Sequence, residues 1–342
     1  MKNLLSILAL IFAAKAFAFV PSDSAQFYFE KGMVEKNAKR YLVAANHFEK
    51  AISFNKSFTE AYIENAAVNI EMRKTDQAKA NLVKAYELQP SNSKVIEALT
   101  DLYYNYRQWD KAIEFASKCT TCGNTDRIIG MSNYEKEDYV LAEKALLKAI
   151  AKKADDAQAN YTLARTYMEM EAYRKAVPYF EKAVSLLPEK NNWAYELGLL
   201  YYNNNNYRSA VTAFEAALTN GYIASNDFNE NYGYALLYSG NYGKGEEKLM
   251  GIYAKKNNKE IIRDLAQILY EQKQYDRSLD YCQKLLEIDA KDAKALYQAG
   301  LTFQKMGQKA KGQGMCDKAI EMDPSLASKR SKSMDPGDIG AL

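Results

Sequence analysis

One spacing governs this chain. A small residue recurs about every 34 positions, followed four residues later by a larger side chain and three after that by another apolar one. The small residues are Ala44, Ala78, Ala112, Ala142, Ala176, Ala210, Gly245, Ser278 and Gly312. Behind them stand Phe48, Leu82, Ala116, Leu146, Phe180, Phe214, Leu249, Cys282 and Cys316. Offsets of i, i+4 and i+7 collect side chains on one face of an α-helix. A second small series, Gly32, Ala66, Thr100, Gly130, Ala164, Gly198, Gly233, Ala266 and Gly300, precedes the first. Small residues in both places let two helices approach closely while the larger residue fills the seam. The unit is clearest in 157–190, where Leu163, Ala164 and Tyr167 share one face of a first helix and Ala176, Phe180 and Ala183 share one face of a second. Tyr173 opens that second helix and Pro188 closes the unit. A single helix pair cannot bury its own apolar stripe, so each unit needs neighbours.

Aligned on that unit, the chain gives nine copies: 25–58, 59–92, 93–122, 123–156, 157–190, 191–225, 226–258, 259–292 and 293–326. An aromatic residue between the helices appears as Tyr41, Trp109, Tyr139, Tyr173, Tyr207, Tyr242 and Tyr275, with Thr75 and Lys309 departing from it. These residues resemble the tetratricopeptide repeat. The resemblance implies an all-α fold, a right-handed superhelical solenoid of about nine helix–turn–helix repeats whose first helices line a concave groove. Some relatives hold a partner's C-terminal carboxylate with Lys and Asn on successive first helices. Here Phe29, Met33 and Glu64 occupy such positions, so that activity does not carry over.

The ends read differently. Lys2, an apolar run over Leu4–Ala14 and the small-x-small triplet Ala16-Phe17-Ala18 form a signal-peptide pattern over residues 1–18, cleaved near Ala18. Residues 19–24 are a short lead-in. The product is expected to be exported, periplasmic or secreted, with no integral membrane span after cleavage. The last second helix, around Lys309–Met322, is mostly polar, as a terminal repeat facing water must be. Residues 327–342 read as a disordered tail. Across the 342 residues, 46 basic side chains balance 43 acidic ones, a net charge of +3 without clustering, which argues against nucleic acid as a partner.

Enzyme signatures, cofactor motifs and metal-ligand patterns are absent. His47, the single histidine, reads as a surface residue of the first repeat. Gly240–Gly245 lacks the first glycine and the Ser/Thr of a phosphate loop. Cys119 and Cys122 form a C-x-x-C where the third copy runs four residues short. Its readings are a structural disulfide, idle thiols, a redox pair, or a metal site still lacking two ligands. Cys282 and Cys316 occupy one packing position in adjacent repeats and read as core residues.

Function is then expected on the first helices. One position near their ends carries Tyr104, Tyr134, Tyr202 and Tyr270, with Met168 in the fifth repeat. Earlier positions carry Arg127, Tyr161, Tyr195, Arg263 and Tyr297, with Arg165 between the two sets. Tyrosine and arginine serve as binding anchors because they offer much contact area for little entropy. The expectation is an exported scaffold that holds a protein or peptide partner in a Tyr/Arg-rich groove, for example in envelope or secretion-complex assembly. Two alternatives stand beside it. One is a structural or dimerising spacer that self-associates through repeat ends; the other is a thiol–disulfide accessory built on Cys119 and Cys122.

Overall fold

The computed structural model of the chain describes residues 21–119 and 121–328. The signal-peptide pattern of residues 1–18 and most of the tail, 329–342, lie outside the described residues. The described residues form eighteen α-helices and no strand. The pairs are α1 Pro21–Asn37 with α2 Tyr41–Phe54, α3 Thr59–Glu71 with α4 Thr75–Leu88, α5 Ser93–Asn105 with α6 Trp109–Lys118, and α7 Thr125–Glu135 with α8 Tyr139–Lys152. Next in sequence come α9 Ala157–Glu169 and α10 Tyr173–Leu186, then the pairs α11 Asn191–Asn203 with α12 Tyr207–Thr219 and α13 Asn226–Tyr238 with α14 Tyr242–Lys256. The last are α15 Lys259–Glu271 with α16 Tyr275–Ile288 and α17 Ala293–Lys305 with α18 Lys309–Met322, closed by a 3-10 turn at Pro324–Leu326. None of these helices is long and apolar enough to cross a membrane.

The turn inside each pair is made the same way. At the end of α1, the Arg40 amide bonds back to the Glu35 carbonyl, and Lys74 to Asn69, Gln108 to Tyr103 and Gln274 to Leu269 repeat it. This six-to-one bond is the Schellman closure, and it needs a left-handed residue just before the donor. Gly240 and Gly307 supply it in the seventh and ninth repeats, whereas Lys39, Arg73, Arg107, Glu137, Glu171, Asn205 and Lys273 adopt positive φ without being glycine.

The chain divides into two compact units, residues 1–171 and 172–342, with the division falling between α9 and α10. In the first unit, Leu82, Val95, Leu99, Leu102, Tyr103 and Ile128 join the second, third and fourth repeats in one core. In the second unit, Phe214, Phe228, Tyr232 and Leu236 form one cluster, and Leu237, Leu249, Ile252, Ile261 and Leu265 another. The periodic residues that define the pattern are the core: Ala44, Phe48, Ala176, Phe180, Ala210 and Phe214 are all fully buried. Glycine at 198 is a packing requirement, since a Cβ there would stand 2.5 Å from Cε1 of Phe214.

One expectation needs correction here. His47 is half-buried rather than a surface residue: its ring stacks on Tyr28 with centroids 6.0 Å apart, and its Nδ1 is buried without a hydrogen-bond partner among the described residues. At the other end, the first residues after Met322 are docked. Asp323 accepts hydrogen bonds from the amide and hydroxyl of Ser325, and Leu326 is buried against Tyr297, Cys316 and Ala319. Leu326 thereby covers apolar surface of α17 and α18.

Candidate functional site

Cys119 and Cys122 are joined by a disulfide, with their Cα atoms 5.5 Å apart. Cys119 is the C-cap of α6, in the shortest of the repeats. The Thr125 hydroxyl lies 3.2 Å from both the Cys119 and the Cys122 carbonyl. Both cysteines are buried against Ile96, Tyr86 and Phe115. Cys282 and Cys316 are buried and not disulfide-bonded. Burial pushes the Cys282 thiol up to about 12. Among the described residues no group of three or more His, Cys, Asp or Glu side chains is placed to hold a metal ion.

The eleven expected groove residues separate into those brought together and those committed to packing. In the first unit, the Arg165 guanidinium lies 5.6 Å from the Tyr134 ring centroid and donates to the Tyr161 hydroxyl at 3.5 Å, with Glu169 3.9 Å away. Tyr104 packs against Trp109 at 5.2 Å, and Met168 is half-buried on α9. Burial pushes the phenols of Tyr104 and Tyr134 up to about 12.

Arg127 and Arg263 do a different job from the one the sequence suggested. Arg127 donates to Asp156 at 3.3 Å, and Arg263 forms a two-pronged contact with Asp292 at 3.2 and 3.0 Å. Each aspartate sits 29 residues on, at the N-cap of the next first helix, accepting from the amides of Ala159 and Ala295 respectively. The arginines therefore tie one repeat to the next. Tyr195 is likewise a packing residue, with its ring 4.9 Å from Tyr222 and 5.3 Å from Phe228. Tyr297 is only 5% exposed and forms a floor rather than an exposed anchor.

What remains in the second unit is a face made by the first helices α11, α13, α15 and α17. It carries two hollows. One, of about 250 Å³, is lined by Tyr202, Tyr234, Tyr238, Asp264, Gln267 and Ile268. The other, of about 240 Å³, includes Gln267, Tyr270, Glu271, Lys294, Gln298 and Tyr297 in its lining. Gln267 is exposed and lines both. The aromatic wall is braced from behind, because Tyr207 stacks on Tyr238 at 4.6 Å and meets Tyr202 edge-on at 5.6 Å. The Tyr234 hydroxyl donates to Asp264 at 2.6 Å. Burial, and then that hydrogen bond, raises the Tyr234 phenol.

Tyr234, Tyr238, Asp264, Gln267 and Gln298 were not singled out from sequence. In the seventh repeat the expected tyrosine position is Leu237, which is fully buried, and the wall is built by the residues one after and three before it. A helical position shifts by about 100° per residue, so a tyrosine one place off the repeat register is easily passed over.

Models of the tetratricopeptide repeat match residues 161–222, 195–260, 232–293 and 293–326, so the chain carries tetratricopeptide repeats over 161–326. Anaphase-promoting complex subunit 3 of Schizosaccharomyces pombe (strain 972 / ATCC 24843) is 25% identical over 157 residues, covering 43% of this chain. The chain spans 23% of that relative's length. Among solved structures, the fold is similar to YrrB, a TPR protein with an unusual peptide-binding site: 21% identity, 52% of this chain, 93% of that chain and a TM-score of 0.43. Pseudomonas aeruginosa pilF gives 19% identity, 60% of this chain, 95% of that chain and a TM-score of 0.49. PilW, a type IV pilus biogenesis factor, gives 15% identity, 70% of this chain, 97% of that chain and a TM-score of 0.43.

Proposed function

We propose that the chain is an exported scaffold holding an extended segment of a protein partner along the first helices of residues 191–305. The observation that carries this reading is the pair of hollows joined through Gln267, walled by tyrosines whose rings are fixed by their neighbours. Two hollows in series suit an extended chain that places side chains in turn, and rigid aromatic walls lower the entropy lost on binding. Export rests on the pattern of residues 1–18 and agrees with a disulfide, which persists in oxidising compartments. Burial of both cysteines favours a structural bond over thiol exchange, which requires access to sulfur.

In vivo crosslinking followed by purification of the full chain tests the reading. Wild type is expected to recover a discrete partner, and a Tyr202→Ala/Tyr238→Ala/Tyr270→Ala variant with unchanged helical circular dichroism is expected to lose it. Equal recovery by both proteins contradicts the proposal.

A second reading rests on α1. Phe27 and Val34 are 51% and 63% exposed, yet the residues 34 and 68 places on (Ala61 and Val68, then Val95 and Leu102) are at most 3% exposed. In later repeats a preceding helix pair covers this stripe. Here α1 continues helical back to Pro21, four residues beyond the corresponding start of α3 at Thr59. A second copy fits. Antiparallel pairing of α1 with its equivalent sets Phe27 opposite Val34 and Glu30 opposite Lys31, a self-complementary arrangement of apolar and charged groups. Sedimentation of the full chain is expected to show a dimer that Phe27→Glu/Val34→Glu dissociates. Glu30→Lys alone should weaken it, and Glu30→Lys/Lys31→Glu together should restore it. A monomer at all concentrations, or a dimer indifferent to these changes, refutes this reading.

A further inference from the structure

We infer that the hollow between α11, α13 and α15 is a cage for the side-chain cation of a lysine or arginine in the bound segment. This deepens the reading above and rests on it. The walls are the phenol rings of Tyr202, Tyr234 and Tyr238, and the polar end is Asp264. Aromatic rings attract cations through their quadrupole, most strongly where the site is desolvated.

The carboxylate is poised rather than satisfied. Asp264 is half-buried on α15, and among the described residues Tyr234 is its one hydrogen-bond donor. A carboxylate has about four lone-pair positions, so one phenol leaves most of its acceptor capacity open toward the hollow. Among the described residues no lysine or arginine pairs with it, in contrast to Asp292, which holds Arg263. Nor is a basic residue among the six that line the space.

Two carboxylates, Glu271 and Asp264, act on these rings. Burial pushes the Tyr238 phenol up to about 12, with Glu271 and then Asp264 among the charges adding to the effect. The Tyr202 phenol is raised by burial, then by Tyr207 and by Asp264. Burial disfavours a charge of either sign, but the carboxylates of Glu271 and Asp264 act favourably on a positive one. The volume of about 250 Å³ admits one ammonium or guanidinium head with a few waters, at roughly 30 Å³ per water. An acidic or C-terminal carboxylate group would instead meet Asp264 and be repelled, so the cage also sets which side chain of the partner sits here.

The test uses the full chain against an immobilised random heptapeptide library, followed by titration of one selected peptide in lysine, arginine and norleucine forms at the enriched position. Wild type should enrich a basic residue at one position. The norleucine form, which keeps the length and loses the charge, should bind about tenfold more weakly than the better of the two cationic forms. The lysine and arginine arms tell the two sources of the cation apart. Asp264→Asn, which still accepts from Tyr234, should bring the cationic and norleucine forms within about threefold while peptides are still selected. Tyr202→Leu provides a second variant in which the carboxylate stays. Selection of peptides without a basic preference, or a preference that survives both substitutions, overturns the cage and leaves the groove standing. Selection of no peptide at all overturns both.

Discussion

Replacing Phe214 with alanine is expected to lower the stability of the second unit by about 3–5 kcal/mol, the range for emptying a fully enclosed aromatic site. Phe214 is completely buried on α12, with rings of Phe228, Tyr195 and Tyr232 at 5.5, 5.8 and 5.9 Å. Gly198 gives its backbone to the same contact and has no side chain to fill the space left behind. Because the three neighbouring rings come from α11 and α13, a void at 214 loosens three helices together. Urea unfolding monitored by hydrogen exchange should show the amides of α11–α13 exchanging faster by two to three orders of magnitude, since local protection follows local opening free energy. Ile223, 90% exposed, provides the control, and Ile223→Ala should change nothing measurable. A Phe214→Ala loss below about 1 kcal/mol would mean that the site collapses freely, contrary to the close packing described.

The second large effect concerns Asp292. Its carboxylate does two things at once: it caps α17 by accepting the Ala295 amide at 2.9 Å, and it takes both prongs of Arg263. Asp292→Ala removes a cap worth about 1 kcal/mol and charge-assisted bonds worth about 1.5–3 kcal/mol, leaving Arg263 without its main partner. A total loss of about 3 kcal/mol is expected. Asp156→Ala should cost less, because Arg127 reaches Asp156 by one contact at 3.3 Å.

The pH dependence carries the same signature. Burial alone would raise the Asp292 carboxyl, but the bonds from Arg263 and the amides of Ala295 and Lys294 outweigh it and hold it below the usual range. A group with a depressed folded pKa contributes stability above its unfolded pKa and loses it as pH falls through the folded one. Wild type and Asp292→Asn should therefore differ most near neutrality and converge in acid. A difference that grows on acidification would contradict the assignment.

Much of this architecture was legible because the repeat is a packing code. Ala176, Phe180 and their equivalents could be named from spacing alone, since only small residues permit the close crossing and only a larger one fills it. The partner face obeys no such constraint. An arginine on a first helix looks the same in sequence whether it meets a ligand or the N-cap of the next repeat. The aspartates 29 residues after Arg127 and Arg263 are the signal that separates the two cases. Tyr195 and Tyr297 were expected to face a partner, but their rings fill seams. Tyr234 and Tyr238 lay off the tyrosine register because Leu237 takes that place in the core, packed where a Cβ at Gly245 would lie 2.8 Å from its side chain. Asp264 became informative only once its three aromatic neighbours were in view.

The central claim is that the first helices of the second unit, and not its second helices or α1, receive the partner. A peptide selected by the full chain and carrying a photoreactive residue, crosslinked and mapped by mass spectrometry, measures this directly. Insertion into Tyr202, Tyr234, Tyr238, Gln267 or Tyr270 is the result the structure leads us to expect. Insertion confined to α12, α14 and α16, or to α1, would contradict it.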